Sequence, residues 1–301
     1  MNQLDRRDLF SGALVGAAAA ALSQSGSADE TVSGEAQPPW KVRPWKVIDT
    51  NISLFQWPFR RLPYDALDPL VEKLGQLRID QAWAASYEGV LQRDIAGVNL
   101  RLAEACRTQR KGLLVPFGSV NLELPDWEED LRRCREEHAM PGIRLHPNYH
   151  GYTLDDPRFE RLLFLAAEQR LLVQIAVTME DQRTQHPKLR VPDVDLAPLP
   201  DLMRKVPAAN VLLLNFRPTG TIFSQLVATP RVYFDTARAE ATDGIARLSR
   251  STPPDRVVFG THAPFLIYES ALIRVYESDL TLAEHRAVFE QNAKQLLATS
   301  S

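Results

Sequence analysis

Apolar positions recur with two different spacings along most of the chain. From about Lys46 onward, short β-branched or apolar runs, typical of buried strands, alternate with segments whose apolar residues recur every three or four positions, typical of helices. The pattern predicts eight strands: Val47–Ser53, Ile79–Ser86, Leu113–Val120, Gly142–Leu145, Leu171–Val177, Val211–Asn215, Val232–Asp235 and Val257–Gly260. Eight strands, each followed by a helix, within about 250 residues favour a single-domain α/β fold, the (β/α)8 TIM barrel. A doubly wound open sheet is the alternative, although no glycine-rich fingerprint follows any strand.

The first 28 residues have a different pattern and resemble a twin-arginine (Tat) export signal. Arg6 and Arg7 precede an alanine-rich apolar run from Gly12 to Leu22, and small residues suited to a signal peptidase follow it. The run is shorter than the roughly 20 apolar residues that span a membrane. We therefore expect a signal peptide at 1–28, a linker at 29–44 and a barrel at 45–301 without a membrane span in the mature chain. The expected location is periplasmic or secreted, with an uncleaved leader as the alternative.

Composition and charge narrow the choice of partners. The 301 residues are 45% hydrophobic and 24% charged, which are ordinary proportions for a globular chain. A net charge of −3 provides no basic surface for a phosphate backbone, so we expect a small-molecule substrate and no nucleic acid. Two cysteines, Cys106 and Cys134, are too few for a disulfide framework, and whether they form one bridge stays open. A homo-oligomer also stays open.

Polar residues gather at the carboxyl ends of the predicted strands, which is the end of a TIM barrel where active sites lie. Four of the six histidines fall at this face. The polar set comprises Asp49, Asn51, Ser53, Ser86, Tyr87, Glu88, Ser119, Asn121, Arg144, His146, Asn148, His150, Gln174, Thr178, Glu180, Asp181, His186, Asn215, Arg217, Asp235 and His262. We therefore expect the active site at this face.

Four segments in this frame resemble the amidohydrolase-2 (ACMSD-like) family of metal-dependent hydrolases: Val47–Asn51, Gly142–Tyr152, Phe259–Phe265 and Asn292–Leu297. The resemblance covers about residues 46–297. It implies a TIM barrel, hydrolysis of a small carbonyl- or carboxylate-bearing molecule, and metal ligands on barrel strands one, five, six and eight. At those positions this chain has Asn51 and Ser53, Ala176, Asn215 and His262. None of these is the family's usual ligand.

The first interpretation of this substitution is a hydrolase that acts without the family's metal. Amides and hydroxyls are weak zinc ligands and alanine is none, so the metal-bound water of the family mechanism cannot be assumed. A lactone, ester or amide would then be attacked with His262 as general base. The catalytic residues would be His262, Asn51, Asn215 and Asp235. The substrate-binding residues would be Arg144, His146, His150, Arg217, Arg60, Glu180 and Asp181.

Three alternatives stay open. One is a relocated site for a single divalent metal (Zn, Mn or Fe), built from His146, His150, Glu180, Asp181, His186 and His262, although this spacing matches no known ligand pattern. Another is a decarboxylase or other lyase of the same family. The third is a non-catalytic binding barrel, since a pseudoenzyme would also lose every usual ligand. The ionisable residues kept at the predicted site favour an enzyme, because buried unpaired charges are costly.

Overall fold

Parallel strands form the inner wall of the fold, and all eight predicted strands are present. In the computed structural model, which describes residues 43–299, they are β1 (Ile48–Leu54), β2 (Gln81–Ser86), β3 (Leu114–Pro116), β4 (Gly118–Ser119), β5 (Gly142–Leu145), β6 (Leu172–Ala176), β7 (Val211–Leu214), β8 (Val232–Asp235) and β9 (Val257–Val258). Every pairing between neighbouring strands is parallel. The predicted signal at 1–28 and nearly all of the predicted linker at 29–44 lie outside the described residues.

The third barrel strand is interrupted at Phe117, where the apolar pattern predicts one continuous strand. Pro116 has no N–H to continue the ladder, so the strand divides into β3 and β4. The backbone N–H of Phe117 donates to the carbonyl oxygen of Ala84 at 2.8 Å, and the wall therefore stays bonded across the break. With β3 and β4 counted as barrel strand three, β5 to β9 are barrel strands four to eight.

Hydrogen bonds between β1 and the segment that follows β9 close the barrel. The N–H of Thr50 donates to the carbonyl oxygen of Phe259, and the N–H of Ser53 donates to that of Ala263, both at 2.9 Å. Strands in order along the chain are also neighbours in the wall. These contacts confirm the predicted TIM barrel.

Helices follow the strands, as the alternating pattern predicts. They are α1 (Leu67–Gln76), α2 (Ile95–Thr108), α3 (Trp127–Glu136), α4 (Pro147–His150), α5 (Pro157–Glu168), α6 (Leu199–Lys205), α7 (Gly220–Ala228), α8 (Gly244–Ser251), α9 (Tyr268–Tyr276), α10 (Leu282–Arg286) and α11 (Asn292–Thr299). Local signals explain several starts: Asp156 accepts a hydrogen bond from the N–H of Arg158 at the start of α5, and Thr281 with Glu284 forms a capping box at α10. None of the helices in the described range is long and apolar enough to cross a membrane.

Apolar side chains pack both between the strands and helices and in the barrel interior. The interior cluster includes Trp83, Phe117 and Leu212, together with Leu296 of α11. Cys106 and Cys134 are buried and free, so they form no bridge in the structure. The rest of the interior, toward the carboxyl ends of the strands, is polar. Those ends, with the loops that follow them, are called the barrel mouth below.

Candidate active site

Arg144 on β5 occupies the polar part of the barrel interior and is 1% exposed. Its guanidinium donates to Gln174 Oε1 at 2.8 Å and to the carbonyl oxygen of Ile52 at 2.7 Å, with longer contacts to backbone oxygens of β1 and β2. Burial lowers the pKa of Arg144 to about 10. Because its donors are directed at the protein, Arg144 ties strands together. The expectation that it anchors a substrate anion stays a prediction.

Asn51 on β1 is the centre of a hydrogen-bonded triad, Asn51, Asn215 and Asp235, that joins three strands. Its side-chain nitrogen donates to Asn215 Oδ1 at 2.8 Å and to Asp235 Oδ2 at 2.7 Å. Asn215 directly follows β7 with a φ of 59°, a left-handed conformation that asparagine tolerates, and its backbone N–H donates to Asp235 Oδ1 at 3.0 Å. All three residues are buried. One amide group therefore connects β1 with the ends of β7 and β8.

Two carboxyl groups in the barrel interior have raised pKa values. Burial raises the pKa of Asp235 to about 7, although hydrogen bonds from Asn51 and from the backbone oppose the shift. Burial also raises the pKa of Asp49 to about 6, against a 2.6 Å hydrogen bond from the Thr261 hydroxyl. Gly260 lies against Asp235, since a Cβ there would stand 2.9 Å from Asp235 Oδ2. Oδ2 accepts one hydrogen bond from Asn51 and keeps a lone pair for a proton.

His262, in the segment that follows β9, is buried and holds a neutral ring. Its Nε2–H donates to the carbonyl oxygen of Met179 at 2.7 Å, and the ring stacks on Phe265 with centroids 4.9 Å apart. Burial lowers the pKa of His262 to about 3, and the positive charges of Arg238 and Arg144 add to this shift. The role of His262 as general base stays a prediction, and in this structure burial favours its neutral imidazole.

Four buried polar atoms near the ends of barrel strands three and four have no hydrogen-bond partner among the described residues: Ser119 Oγ, His146 Nδ1, His150 Nδ1 and Tyr152 Oη. The His150 ring lies 6.1 Å from that of His146 and 6.3 Å from that of Tyr152. Burial lowers the pKa of both histidines, which keeps them neutral. An unsatisfied buried polar group costs about 1–3 kcal/mol. These atoms are therefore suited to bind the polar groups of a small molecule.

Aromatic side chains close the barrel mouth. Trp57 in the loop after β1 is buried, and its ring makes edge contacts with Tyr87, Tyr149 and Phe265 at centroid distances of 5.3, 5.6 and 4.9 Å. The last of these rings also stacks on His262. Segments that follow four strands, β1, β2, β5 and β9, thus meet at the barrel mouth.

An ion pair links the loop after β1 to the segment after β6. Arg60 Nε lies 2.8 Å from Glu180 Oε1, and the Glu180 side chain is 5% exposed while that of Arg60 is 45% exposed. The Arg60 guanidinium also lies 5.4 Å from the centre of the Phe265 ring. Glu180 and Arg60, both predicted to bind substrate, are instead paired with each other across the mouth.

The structure does not assemble the relocated metal site. Asp181 pairs with Arg183 at 2.9 Å, Glu180 pairs with Arg60, and His186 is exposed on a loop. Among residues 43–299, no three His, Cys, Asp or Glu side chains are grouped so that they could hold a metal ion. The family positions do not fit a metal either, because the Asn51 amide presents hydrogens rather than lone pairs to its neighbours.

Two arginines, Arg217 and Arg238, lie in the segments that follow β7 and β8. Arg217, predicted to bind substrate, is exposed and has Asp193 as its ion-pair partner at 3.6 Å. Arg238, which sequence reasoning missed, is 8% exposed, and its Nε has no partner among the described residues. The available signal was its position, three residues after Asp235 at the end of a barrel strand. Both arginines lie beside the barrel mouth.

Comparison with known proteins supports the fold and the family. The family described as Amidohydrolase matches residues 40–299. A 5-carboxyvanillate decarboxylase from Novosphingobium aromaticivorans, solved with manganese and 3-methoxy-4-hydroxy-5-nitrobenzoic acid, has a TM-score of 0.69 and 14% identity over 85% of this chain and 97% of its own. A 2,6-dihydroxybenzoate decarboxylase from Rhizobium has a TM-score of 0.68 and 14% identity, covering 85% of this chain and all of its own. At this identity the likeness shows the fold alone.

A TIM-barrel protein from Bordetella bronchiseptica is similar to the same degree. Its TM-score is 0.67 at 14% identity, over 85% of this chain and 99% of its own. No curated protein matches the chain significantly.

Proposed function

Because this chain belongs to the amidohydrolase family, we propose that it is an enzyme that decarboxylates a small carboxylic acid at the carboxyl end of its barrel. The triad in which Asn51 links Asn215 to Asp235 is the observation that carries the proposal. Two members of the triad, Asn51 and Asn215, stand at positions where the family has metal ligands, and here they form hydrogen bonds instead. The triad leaves Asp235, a buried carboxyl group, as the group that can exchange a proton.

The geometry favours decarboxylation over hydrolysis. Hydrolysis of a carbonyl compound needs donors that stabilise an oxyanion. The Asn51 amide is bonded within the triad, and the guanidinium of Arg144 is directed at protein acceptors. Decarboxylation needs a group that delivers a proton to carbon, and Asp235 has a pKa near neutrality that suits this role. Asp235 is therefore the proposed general acid.

The proposed step balances as the exchange of a carboxylate for a proton. Asp235 donates its proton from Oδ2 to the substrate carbon that bears the carboxylate. The bond between that carbon and the carboxylate then breaks, its electron pair returns to the carbon framework, and carbon dioxide leaves. Asp235 is left ionised and regains a proton from solvent. The unpartnered atoms of His146, His150 and Tyr152 would hold the polar substituents of the substrate.

The surroundings of the site support an aromatic or unsaturated acid as substrate. The rings of Trp57, Tyr87, Tyr149 and Phe265 enclose the mouth, and such rings pack well against another flat ring. An unsaturated framework can also hold the electron pair that the leaving carboxylate gives up. Two of the solved structures with a similar fold are named as decarboxylases of carboxyvanillate and dihydroxybenzoate, which are aromatic acids.

Hydrolysis of a lactone, ester or amide is the second candidate. The same raised pKa favours it, since an ionised Asp235 can take a proton from an attacking water. Decarboxylation needs Asp235 in its protonated form, whereas hydrolysis needs it in its ionised form. A decarboxylase that uses the acid loses kcat as the pH rises through about 7, whereas a hydrolase that uses the base gains kcat over the same range.

The test is an assay of the full chain against hydroxybenzoates and lactones from pH 5 to 9, with release of carbon dioxide and of acid measured separately. Asp235→Asn is expected to lower kcat at least about 100-fold. Asp201→Asn, on the outer helix α6, is the matched control and is expected to keep wild-type activity. Turnover that Asp235→Asn leaves intact, or that requires about one manganese per chain, would contradict the proposal. Binding without turnover would identify a non-catalytic barrel.

A further inference from the structure

A groove of about 430 Å³ opens beside the barrel mouth, between the segments that follow β7 and β8. Arg217, Arg238 and Arg247 line it together with Phe223 and Leu248. We propose that this groove, called the arginine groove below, binds a small organic anion with an apolar body, of the carboxylate class. This site is separate from the triad and does not depend on the proposed reaction.

The buried guanidinium of Arg238 has an unfilled hydrogen-bonding position. Its side chain is 8% exposed, and its Nε has no partner among the described residues. Its ion-pair partner is Glu240, at 3.2 Å, and that carboxylate is 48% exposed. A buried charge is costly unless its hydrogen bonds are complete. A carboxylate oxygen in the groove would fill the position on Nε.

The groove has more positive than negative charge. Arg247 forms no ion pair with any described residue, and Arg217 faces Asp193 at the long distance of 3.6 Å with both side chains exposed. A pair of that kind contributes little, because water screens it. Glu240 is the one carboxylate among the lining residues. Three guanidinium groups against one carboxylate favour an anion.

The walls between these charges are apolar and favour an organic anion over an inorganic one. Phe223 is held edge-on against Phe234 with centroids 5.7 Å apart, and Leu248 is buried beside the groove. Ala239 and Ala241 complete the wall. Ligand pockets commonly have volumes of about 300–1,000 Å³ and combine apolar walls with a few charged groups. The arginine groove therefore fits a carboxylate attached to a small ring or branched chain.

The test is titration calorimetry of the full chain with sodium benzoate, and with inorganic phosphate as the second probe. Arg247→Gln is expected to weaken benzoate binding at least fivefold without affecting folding, because Arg247 is exposed. Ala241→Phe, also at an exposed position, is expected to block the groove. Arg161→Gln, an exposed arginine on α5, is the matched control and is expected to bind as the wild type does.

Each outcome decides the proposal. Unchanged binding in Arg247→Gln and Ala241→Phe, or no benzoate binding at millimolar concentration, would overturn it. Phosphate binding as tight as benzoate binding would identify a simple anion site and would also overturn it. Loss of benzoate binding in Asp235→Asn alone would place the ligand in the barrel interior. If Arg247→Gln weakens benzoate binding and Asp235→Asn does not, the result supports anion binding in the arginine groove. This holds even if the proposed reaction is wrong.

Discussion

Asn51 Nδ2 lies 2.7 Å from Asp235 Oδ2, so a side-chain amide joins the first strand of the barrel to the seventh. The two residues are 184 positions apart in the chain. The two amides and the carboxyl group of the triad thus hold β1 and the ends of β7 and β8 together through hydrogen bonds.

Replacing Asn51 tests whether this hydrogen bond stabilises the barrel. We expect Asn51→Ala to lower the free energy of unfolding by about 1–3 kcal/mol, because Asp235 and Asn215 each lose a donor in a buried site. Urea denaturation followed by circular dichroism measures the change. Asn148→Ala is the control, since the Asn148 amide donates to a backbone oxygen at the surface. Equal midpoints for the two variants would contradict the structural role of the triad.

The raised pKa of Asp235 predicts a specific pH dependence of stability. Its folded-state pKa of about 7 lies above the ordinary value of 3.8. The stabilisation from its proton is therefore fully present below about pH 4 and is lost as the pH rises to about 7. We expect the stability of the wild type relative to Asp235→Asn to fall by up to about 4 kcal/mol over that range. Asp201→Asn is the control for the loss of one negative charge. A stability difference between wild type and Asp235→Asn that stays constant with pH would contradict the raised pKa of Asp235.

The ion pair between Arg60 and Glu180 is expected to stabilise the loop after β1. We expect Glu180→Gln to speed hydrogen exchange in residues 55–66 about fivefold, equivalent to about 1 kcal/mol for a pair that is half exposed on one side. Exchange followed by mass spectrometry measures this rate. Asp181→Asn is the control, because Asp181 pairs with Arg183 in its own loop. Equal exchange in both variants would show that the aromatic contacts of Trp57 alone keep the loop in place.

We propose that residues 1–28 direct export through the Tat pathway, as the sequence predicts. Replacing Arg6 and Arg7 together with lysine keeps the charge but removes the paired arginines that the pathway recognises. The expected result is loss of the protein from the periplasmic fraction and its retention in the cytoplasm of the expressing bacterium. Arg204→Lys, at an exposed position of α6, is the control. Normal export of the double lysine variant would point to a different leader.

The sequence by itself determines the barrel. Apolar runs alternate with helical spacing eight times, and this pattern is local, so it predicts the strands before any contact is known. The one departure, at Phe117, follows from a proline whose missing N–H is also visible in the sequence. Because all parallel strands of a barrel end at one face, Asn51, Asn215 and Asp235 could also be expected near one another.

Only the tertiary structure decided what each polar side chain does. Arg144 and Asn51 are polar residues at strand ends, but their donors meet backbone oxygens, a glutamine and the triad, which come from distant parts of the chain. The sequence predicts a base at His262, whereas burial lowers its pKa to about 3 and raises that of Asp235 to about 7. Partner choice and desolvation depend on long-range packing, and no local pattern of residues encodes either one.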